Sequence, residues 1–191
     1  KASKILDKKI ISNSLLNSPG NFTASKIRWI KENNPEIYSS IYKFMLPGDF
    51  IAYKLSGNFS TTSLGLSEGI MWDFRKRNLS QDILNLYEIE KSKVPKIVPS
   101  IGIQDKVSLE NCADFGFSNS VSISYRAGDQ PNNAFSLGVI NDGEIAATAG
   151  TSAVIYCVTQ KDIYDPKNRV NTFLHCNEKQ NKKRNGVLLC N

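Results

Sequence analysis

The alternation of apolar and polar residues predicts a mixed α/β chain, most clearly around residues 121–131. Val121, Ile123 and Tyr125 alternate with polar residues, which is the period-two pattern of a half-buried strand. Pro131 suits the first turn of a helix, because it has no backbone N–H to lose and its φ is already near the helical value. We therefore predict a strand, a corner and a short helix, with Asp129 between the strand and the helix.

The next part of the chain predicts a hairpin and a small turn. Two apolar runs are joined across Asn141, Asp142 and Gly143, residues that favour hairpin turns because glycine accepts a positive φ. A third apolar run over 153–158 follows the small, polar turn at 149–152. Such a turn offers free N–H groups and hydroxyls, which are the donors that bind a phosphate.

The other elements are predicted from caps, breakers and periodicity. In the helix that Thr23 is expected to cap, Ile27, Trp29 and Ile30 are expected to share one side, and Asp49 is expected in the first turn of a later helix, where a negative charge is favourable. The predicted helices are 23–33, 35–42, 47–56, 80–87 and 108–115, and the predicted strands are 44–46, 170–175 and 186–190.

Length and composition are compatible with one large or two small soluble domains. The 191 residues are 40% hydrophobic, enough to bury a core. No apolar run approaches the roughly 20 residues of a membrane helix, and the lysine-rich start is unlike a signal peptide. The four cysteines are widely spaced and form no CxxC pair, so neither a zinc site nor a disulfide framework is predicted. We expect a cytoplasmic protein without a membrane partner.

The net charge of +6 raises the question of a nucleic-acid partner. The basic residues are spread along the chain, and a solvated loop is the ordinary explanation of one dense run. That run is Lys179, Lys182, Lys183 and Arg184. We therefore predict no nucleic-acid binding at physiological salt. His175, the only histidine, has too few neighbouring ligands in the sequence for a metal site, and we predict a structural role for it.

Two motifs carry a more specific signal together than either does alone. The first is AGDQPNNA at 127–134, in which Gly128 permits another molecule to approach the backbone, and the second is ATAGTS at 147–152. In this order they resemble the FGGY carbohydrate kinases, and within them the xylulokinases. The earlier segments LPGDF at 46–50 and LSGNF at 55–59 also look like that family.

The resemblance implies specific roles for five residues. Asp129 would be the catalytic base that takes the proton from the sugar hydroxyl, and Gln130 would touch the sugar. Gly150, Thr151 and Ser152 would hold the nucleotide phosphates. ATP and Mg²⁺ are implied as cofactors, and no residue of this chain is assigned to the metal. The residue-based alternative for Asp129 is a helix cap, which turnover and unfolding of Asn and Ala variants can distinguish from a base.

The implied fold is an α/β fragment of a two-lobe, ribonuclease H-like (actin-like ATPase) sugar kinase. Residues 1–138 would be the C-terminal portion of the FGGY N-terminal lobe, and residues 139–191 the start of the C-terminal lobe. The first phosphate hairpin and the adenosine motif of the family are not found in the 191 residues, so we expect this piece alone to be inactive.

The predicted reaction of the complete enzyme is phosphorylation of D-xylulose to D-xylulose 5-phosphate, with sugar and ATP as the partners and a homodimer left open. Three alternatives remain at this point. They are another FGGY kinase acting on ribulose, gluconate or glycerol, a non-catalytic actin-like nucleotide-binding module, and a basic interaction protein.

Overall fold

The computed structural model describes residues 10–17, 20, 22–117, 121–150, 153–178 and 183–190. A π-helical turn at Ile11–Leu15 precedes the helices, and a 3₁₀ turn occupies Lys91–Lys93. The α-helices are α1 Thr23–Asn33, α2 Pro35–Ser40, α3 Pro47–Ser56, α4 Ser63–Glu68, α5 Gln81–Leu86, α6 Leu109–Asp114 and α7 Asp129–Ser136. The strands are β1 Ser60–Thr62, β2 Trp72–Asp73, β3 Asn78–Leu79, β4 Lys96–Val98, β5 Ile101–Lys106, β6 Ser122–Tyr125, β7 Ile145–Ala149, β8 Ala153–Thr159, β9 Asn171–Leu174 and β10 Asn185–Cys190.

Helix boundaries follow the local signals at most positions. Helix α3 begins at Pro47 and ends before Gly57, whose φ of 78° closes the helix, as glycine does without steric cost. Ser80 and Ser108 cap α5 and α6 by accepting a backbone N–H three residues on, as predicted. The predicted cap at Thr23 is wrong, because Thr23 is already the first residue of α1 and no side chain caps that helix.

A first hydrophobic core lies under the helices of the N-terminal region. Helix α1 contributes Ala24 and Ile27, while Trp29 is 59% exposed. The prediction that Trp29 shares the buried side is wrong, because two residues along a helix rotate a side chain by about 200°. The largest fully buried side chains of this core are Leu15, Leu16, Leu64, Leu66, Ile70, Met71, Phe74, Ile83, Leu84, Tyr87 and Leu174.

Three two-stranded sheets accompany these helices. Strand β1 pairs parallel with β4, while β2 pairs antiparallel with β3 and β5 with β6. The predicted strand at 44–46 is wrong, since these residues form no regular element. There Phe44 donates its N–H to the carbonyl oxygen of Lys93 at 3.1 Å.

The C-terminal region forms a four-stranded antiparallel sheet in the order β7-β8-β10-β9. The predicted hairpin across Asn141, Asp142 and Gly143 is wrong in one arm. The turn exists, with Gly143 at φ 85°, but residues 137–140 form no strand and β7 pairs with β8 instead. Glu144 explains this, because its carboxylate accepts the N–H groups of Ile140 and Asn141 at 2.7 and 2.8 Å and so occupies the donors a ladder would need.

The sheet packs against the helical region through β9. Leu174 is fully buried in the first core, and its N–H donates to Ser67 Oγ at 3.1 Å. The Asn17 side chain exchanges two hydrogen bonds with the backbone of Thr172. A second core joins the sheet to α7 through Ala134. Ala127, two residues before α7, packs against the first core, so α7 begins between the two cores.

Among the described residues, no helix is long and apolar enough to cross a membrane.

Candidate active site

A cavity of about 350 Å³ opens where three parts of the chain converge. The start of α3, one face of α4 and the corner between β6 and α7 each contribute one wall. The lining residues are Leu46, Pro47, Gly48, Asp49, Thr62, Gly65, Glu68, Arg126, Ala127, Gly128 and Asp129. The volume lies in the range of small-molecule sites, and four of the lining side chains carry charge.

Asp129 occupies the position that the sequence predicted, at the corner between β6 and α7. It is the first residue of α7, exposed, and the N-cap position belongs to Gly128, so Asp129 is not the cap of this helix. Its Oδ1 accepts the N–H of Gln130 at 2.8 Å, and its Oδ2 accepts from Gln130 Nε2 at 3.2 Å. The structure therefore places Asp129 and Gln130 together, with the Asp129 carboxylate accessible from the cavity.

Glu68, which received no role from the sequence, holds the Asp129 corner in place. The N–H of Gly128 donates to Glu68 Oε1 at 2.9 Å. A Cβ on residue 128 would overlap the Glu68 carboxyl, so any other residue would displace that side chain from its present contact. The group that lies against Gly128 is thus the Glu68 carboxyl of the same chain and not another molecule. Burial raises the pKa of Glu68 to about 7, and the negative charges of Asp129 and Asp49 add to the effect.

Asp49 and Arg126 form a charged pair in the cavity wall. Asp49 is 5% exposed, and burial raises its pKa, although a hydrogen bond from Thr61 and the charge of Arg126 oppose that shift. Arg126 Nε lies 3.4 Å from Asp49 Oδ1, and Arg126 Nη2 donates to Ser60 Oγ at 3.1 Å. The sequence predicted only that Asp49 would favour the start of α3.

Arg126 keeps hydrogen-bonding capacity that the described part of the chain does not use. Its side chain is 9% exposed, yet Nε and Nη1 have no hydrogen-bond acceptor among the described residues. A buried donor without a partner costs roughly 1–3 kcal/mol, and more when it is charged. Such a group calls for an explanation.

The predicted phosphate motif is only partly described. Gly150 directly follows β7 and is exposed, at the end of the β7–β8 hairpin. Thr151 and Ser152 lie outside the described residues. Their contact with a nucleotide phosphate stays a prediction.

Among the described residues, no group of three or more His, Cys, Asp or Glu side chains could hold a metal ion. Asp49, Glu68 and Asp129 line one cavity without forming such a group. No residue of the described chain is therefore assigned to Mg²⁺.

His175 does not line the cavity and lies in a buried polar cluster beside the C-terminal sheet. Its Nδ1 is 2.9 Å from the Tyr156 hydroxyl, and its Nε2 is 3.4 Å from Cys176 Sγ. Burial lowers the pKa of His175 to about 4, so the ring is neutral at physiological pH. These contacts support the predicted structural role.

The fold is that of sugar kinases with an actin-like ATPase architecture, as predicted. The chain superposes on a xylulose kinase from Rhodospirillum rubrum with a TM-score of 0.87 and 19% identity, over 100% of this chain and 39% of the other. It superposes on a Plasmodium falciparum glycerol kinase with a TM-score of 0.85 and 20% identity, over 98% of this chain and 38% of the other.

The sequence relationship is more specific than the fold. The model of the FGGY family of carbohydrate kinases, N-terminal domain, matches residues 2–136, and the chain belongs to this family, which confirms the predicted resemblance. It is 28% identical to the xylulose kinase of Staphylococcus xylosus over 176 residues, covering 90% of this chain and 36% of that protein. It is 29% identical to the xylulose kinase of Lactococcus lactis, covering 81% of this chain and 30% of that protein. The chain thus spans about a third of these relatives, and the predicted lobe boundary at residue 138 stays a prediction.

Proposed function

We propose that this chain is part of an ATP-dependent sugar kinase that phosphorylates a hydroxyl of D-xylulose. Membership of the FGGY family supports the class of reaction, and the similarity to xylulose kinases supports the sugar. The observation that carries the proposal is the position of Asp129, an exposed carboxylate at the start of α7 that lines a cavity of about 350 Å³.

Asp129 is the proton acceptor in the proposed reaction. As the sugar oxygen attacks the γ-phosphorus of ATP, its proton passes to Asp129. The O–P bond to the sugar forms while the bond to the β-phosphate oxygen breaks, and ADP leaves. Phosphoryl transfer needs positioning and charge neutralisation more than covalent help, so one placed base is sufficient on the sugar side.

The neighbours of Asp129 position it for that role. Two hydrogen bonds from Gln130 orient the carboxylate, and the remaining lone pairs stay available for a sugar hydroxyl. Glu68 anchors the backbone one residue earlier through the N–H of Gly128. Gln130 is proposed to contact the sugar, and Gly150, Thr151 and Ser152 to contact the nucleotide phosphates, as the family resemblance implies.

The proposal is tested with the full-length protein that carries this chain. ADP release is measured with D-xylulose, D-ribulose, gluconate and glycerol, and we expect the highest kcat/KM for D-xylulose. Faster turnover of glycerol or gluconate would contradict the sugar while leaving the class of reaction intact. ATP binding without phosphorylation of any of these acceptors would contradict the kinase and favour a nucleotide-binding module.

A further inference from the structure

Arg126 is the least explained charged residue of the cavity. It follows directly after β6 and precedes Asp129 by three positions, so it approaches the cavity from the same corner as the proposed base. Its side chain is more than nine-tenths buried and lines the cavity. Burying a guanidinium is unfavourable unless its donors are used.

The contacts within the chain use only part of this guanidinium. An arginine carries five N–H donors in a fixed fork. Nη2 donates to Ser60 Oγ, but the approach of Nε to Asp49 Oδ1 at 3.4 Å is longer than the 2.7–2.9 Å of a charge-assisted hydrogen bond. Nη1 has no acceptor in the described ranges of the chain. The Asp49–Arg126 pair is therefore not a closed, two-bond ion pair.

The charges around the cavity indicate which kind of ligand would accept from Arg126. Asp49, Glu68 and Asp129 contribute three carboxyl groups to the cavity lining, whereas Arg126 contributes one guanidinium. Asp49 already opposes the positive charge of Arg126. A ligand carboxylate would meet net negative charge here, whereas a hydroxyl or carbonyl oxygen could accept from Nη1 without that repulsion.

We propose that Arg126 is a substrate-binding residue, whose guanidinium donates a hydrogen bond to a hydroxyl or carbonyl oxygen of an uncharged sugar, and that the carboxyl-rich wall excludes sugar acids. This inference rests on the proposed function for the identity of the ligand as a phosphoryl acceptor. In addition to the proposed base at Asp129, the site would then contain a hydrogen-bond donor that selects neutral sugars.

Two substitutions separate the donors of Arg126 from its charge. Arg126→Met removes every donor and keeps much of the side-chain length, whereas Arg126→Lys keeps a positive charge near Asp49 and loses the forked geometry. Arg75→Met, at an exposed arginine outside the cavity, is the matched control. Thermal unfolding is measured for every variant, and Arg126→Lys carries the test if Arg126→Met does not fold.

The experiment measures kcat/KM in the full-length protein for each combination of protein variant and sugar, where the sugars are D-xylulose and its deoxy analogues. We expect Arg126→Met to lower kcat/KM for D-xylulose by roughly 10- to 100-fold, mainly through KM, as expected for a lost hydrogen bond to a charged donor. One deoxy analogue of D-xylulose should lose a similar factor with the wild type. Because both changes remove the same bond, that analogue should lose little more with the variant.

Each outcome bears on one of the two proposals. The role of Arg126 would be overturned if both Arg126 variants kept the wild-type KM for D-xylulose and if the losses in kcat/KM from variant and analogue multiplied for every analogue. The proposed kinase reaction would be unaffected by that result. If no sugar is turned over, the proposed kinase reaction is wrong. The role of Arg126 is then decided by calorimetric titration of the variants with D-xylulose. Binding that weakens in the Arg126 variants but not in Arg75→Met supports the inference, whereas equal or absent binding overturns it. Tighter binding of gluconate than of D-xylulose overturns the exclusion of sugar acids.

Discussion

Two groups of polar residues in this protein differ in how completely the hydrogen-bonding capacity of their side chains is used. The first, the cavity cluster, consists of Asp49, Glu68, Arg126 and Asp129. The second, the sheet cluster, consists of Tyr156, His175 and Cys176. In the sheet cluster both ring nitrogens of His175 have a partner in the chain, the Tyr156 hydroxyl and Cys176 Sγ. In the cavity cluster two donors of Arg126 find none among the described residues.

The two clusters also respond differently to burial. In the sheet cluster, burial raises the pKa of Tyr156 and Cys176 and lowers that of His175 to about 4, so all three side chains are neutral at physiological pH. In the cavity cluster, burial raises the pKa of Glu68 to about 7, and the permanently charged Arg126 lines the same cavity. A closed, neutral network stabilises a fold, whereas open bonding capacity beside a cavity is available to a ligand.

The largest effect is expected from removing the proposed base. Asp129→Asn keeps an oxygen that can accept the Gln130 N–H at an exposed position, so the free energy of unfolding should change by less than about 1 kcal/mol. Turnover of the full-length kinase should fall by at least about 10²-fold, since a positioned general base contributes roughly 10²- to 10⁴-fold.

The matched control for Asp129 is Asp114→Asn, at an exposed carboxylate that ends α6. Turnover and thermal unfolding are measured for both variants and for Asp129→Ala. An Asp129→Asn protein that keeps more than about a tenth of wild-type turnover would reject Asp129 as the base.

The sheet cluster should make the stability of the folded protein decrease at acid pH. Unfolded His175 takes up a proton near pH 6.5, while the folded protein resists protonation until about pH 4. The unfolded state therefore binds more protons in this window, and stability should fall as the pH decreases from 6.5 to 4, by up to about 3 kcal/mol.

The control for this prediction is His175→Gln, measured by urea unfolding at a series of pH values. The variant should be less stable than the wild type at pH 7, and the difference between the two proteins should shrink toward pH 4. The difference isolates His175, because carboxyl groups that titrate near pH 4 contribute to both proteins. Parallel curves across the whole range would contradict the assignment.

The smallest effect is expected at Glu68, which links the cavity to the Asp129 corner. Above pH 7 the ionised carboxylate makes a charge-assisted hydrogen bond with the N–H of Gly128. Glu68→Gln retains an oxygen acceptor without the charge. Wild-type kcat/KM should therefore rise through pH 7, and the variant should lack that step and be lower by less than about 10-fold at pH 8.

Glu110→Gln, at an exposed residue of α6, is the control for that profile. A step near pH 7 that persists in Glu68→Gln would assign the ionisation to another group.

The sequence by itself determined the parts of this protein that depend on neighbouring residues. The caps at Ser80 and Ser108, the glycine stop after α3 and the strand–corner–helix at Asp129 were predicted correctly. Each involves hydrogen bonds or dihedral preferences within a few positions. The FGGY resemblance could also be identified, because its motifs are short and contiguous.

Tertiary structure alone decided which distant residues meet. Glu68 contacts Gly128 and Asp49 lies beside Arg126, although each pair is far apart in the chain and no local pattern links its members. The hairpin prediction failed because the Glu144 side chain competes for backbone donors. Local propensities therefore defined most helices and the position of Asp129, whereas packing between α3, α4 and the β6–α7 corner assembled the charged cavity around it.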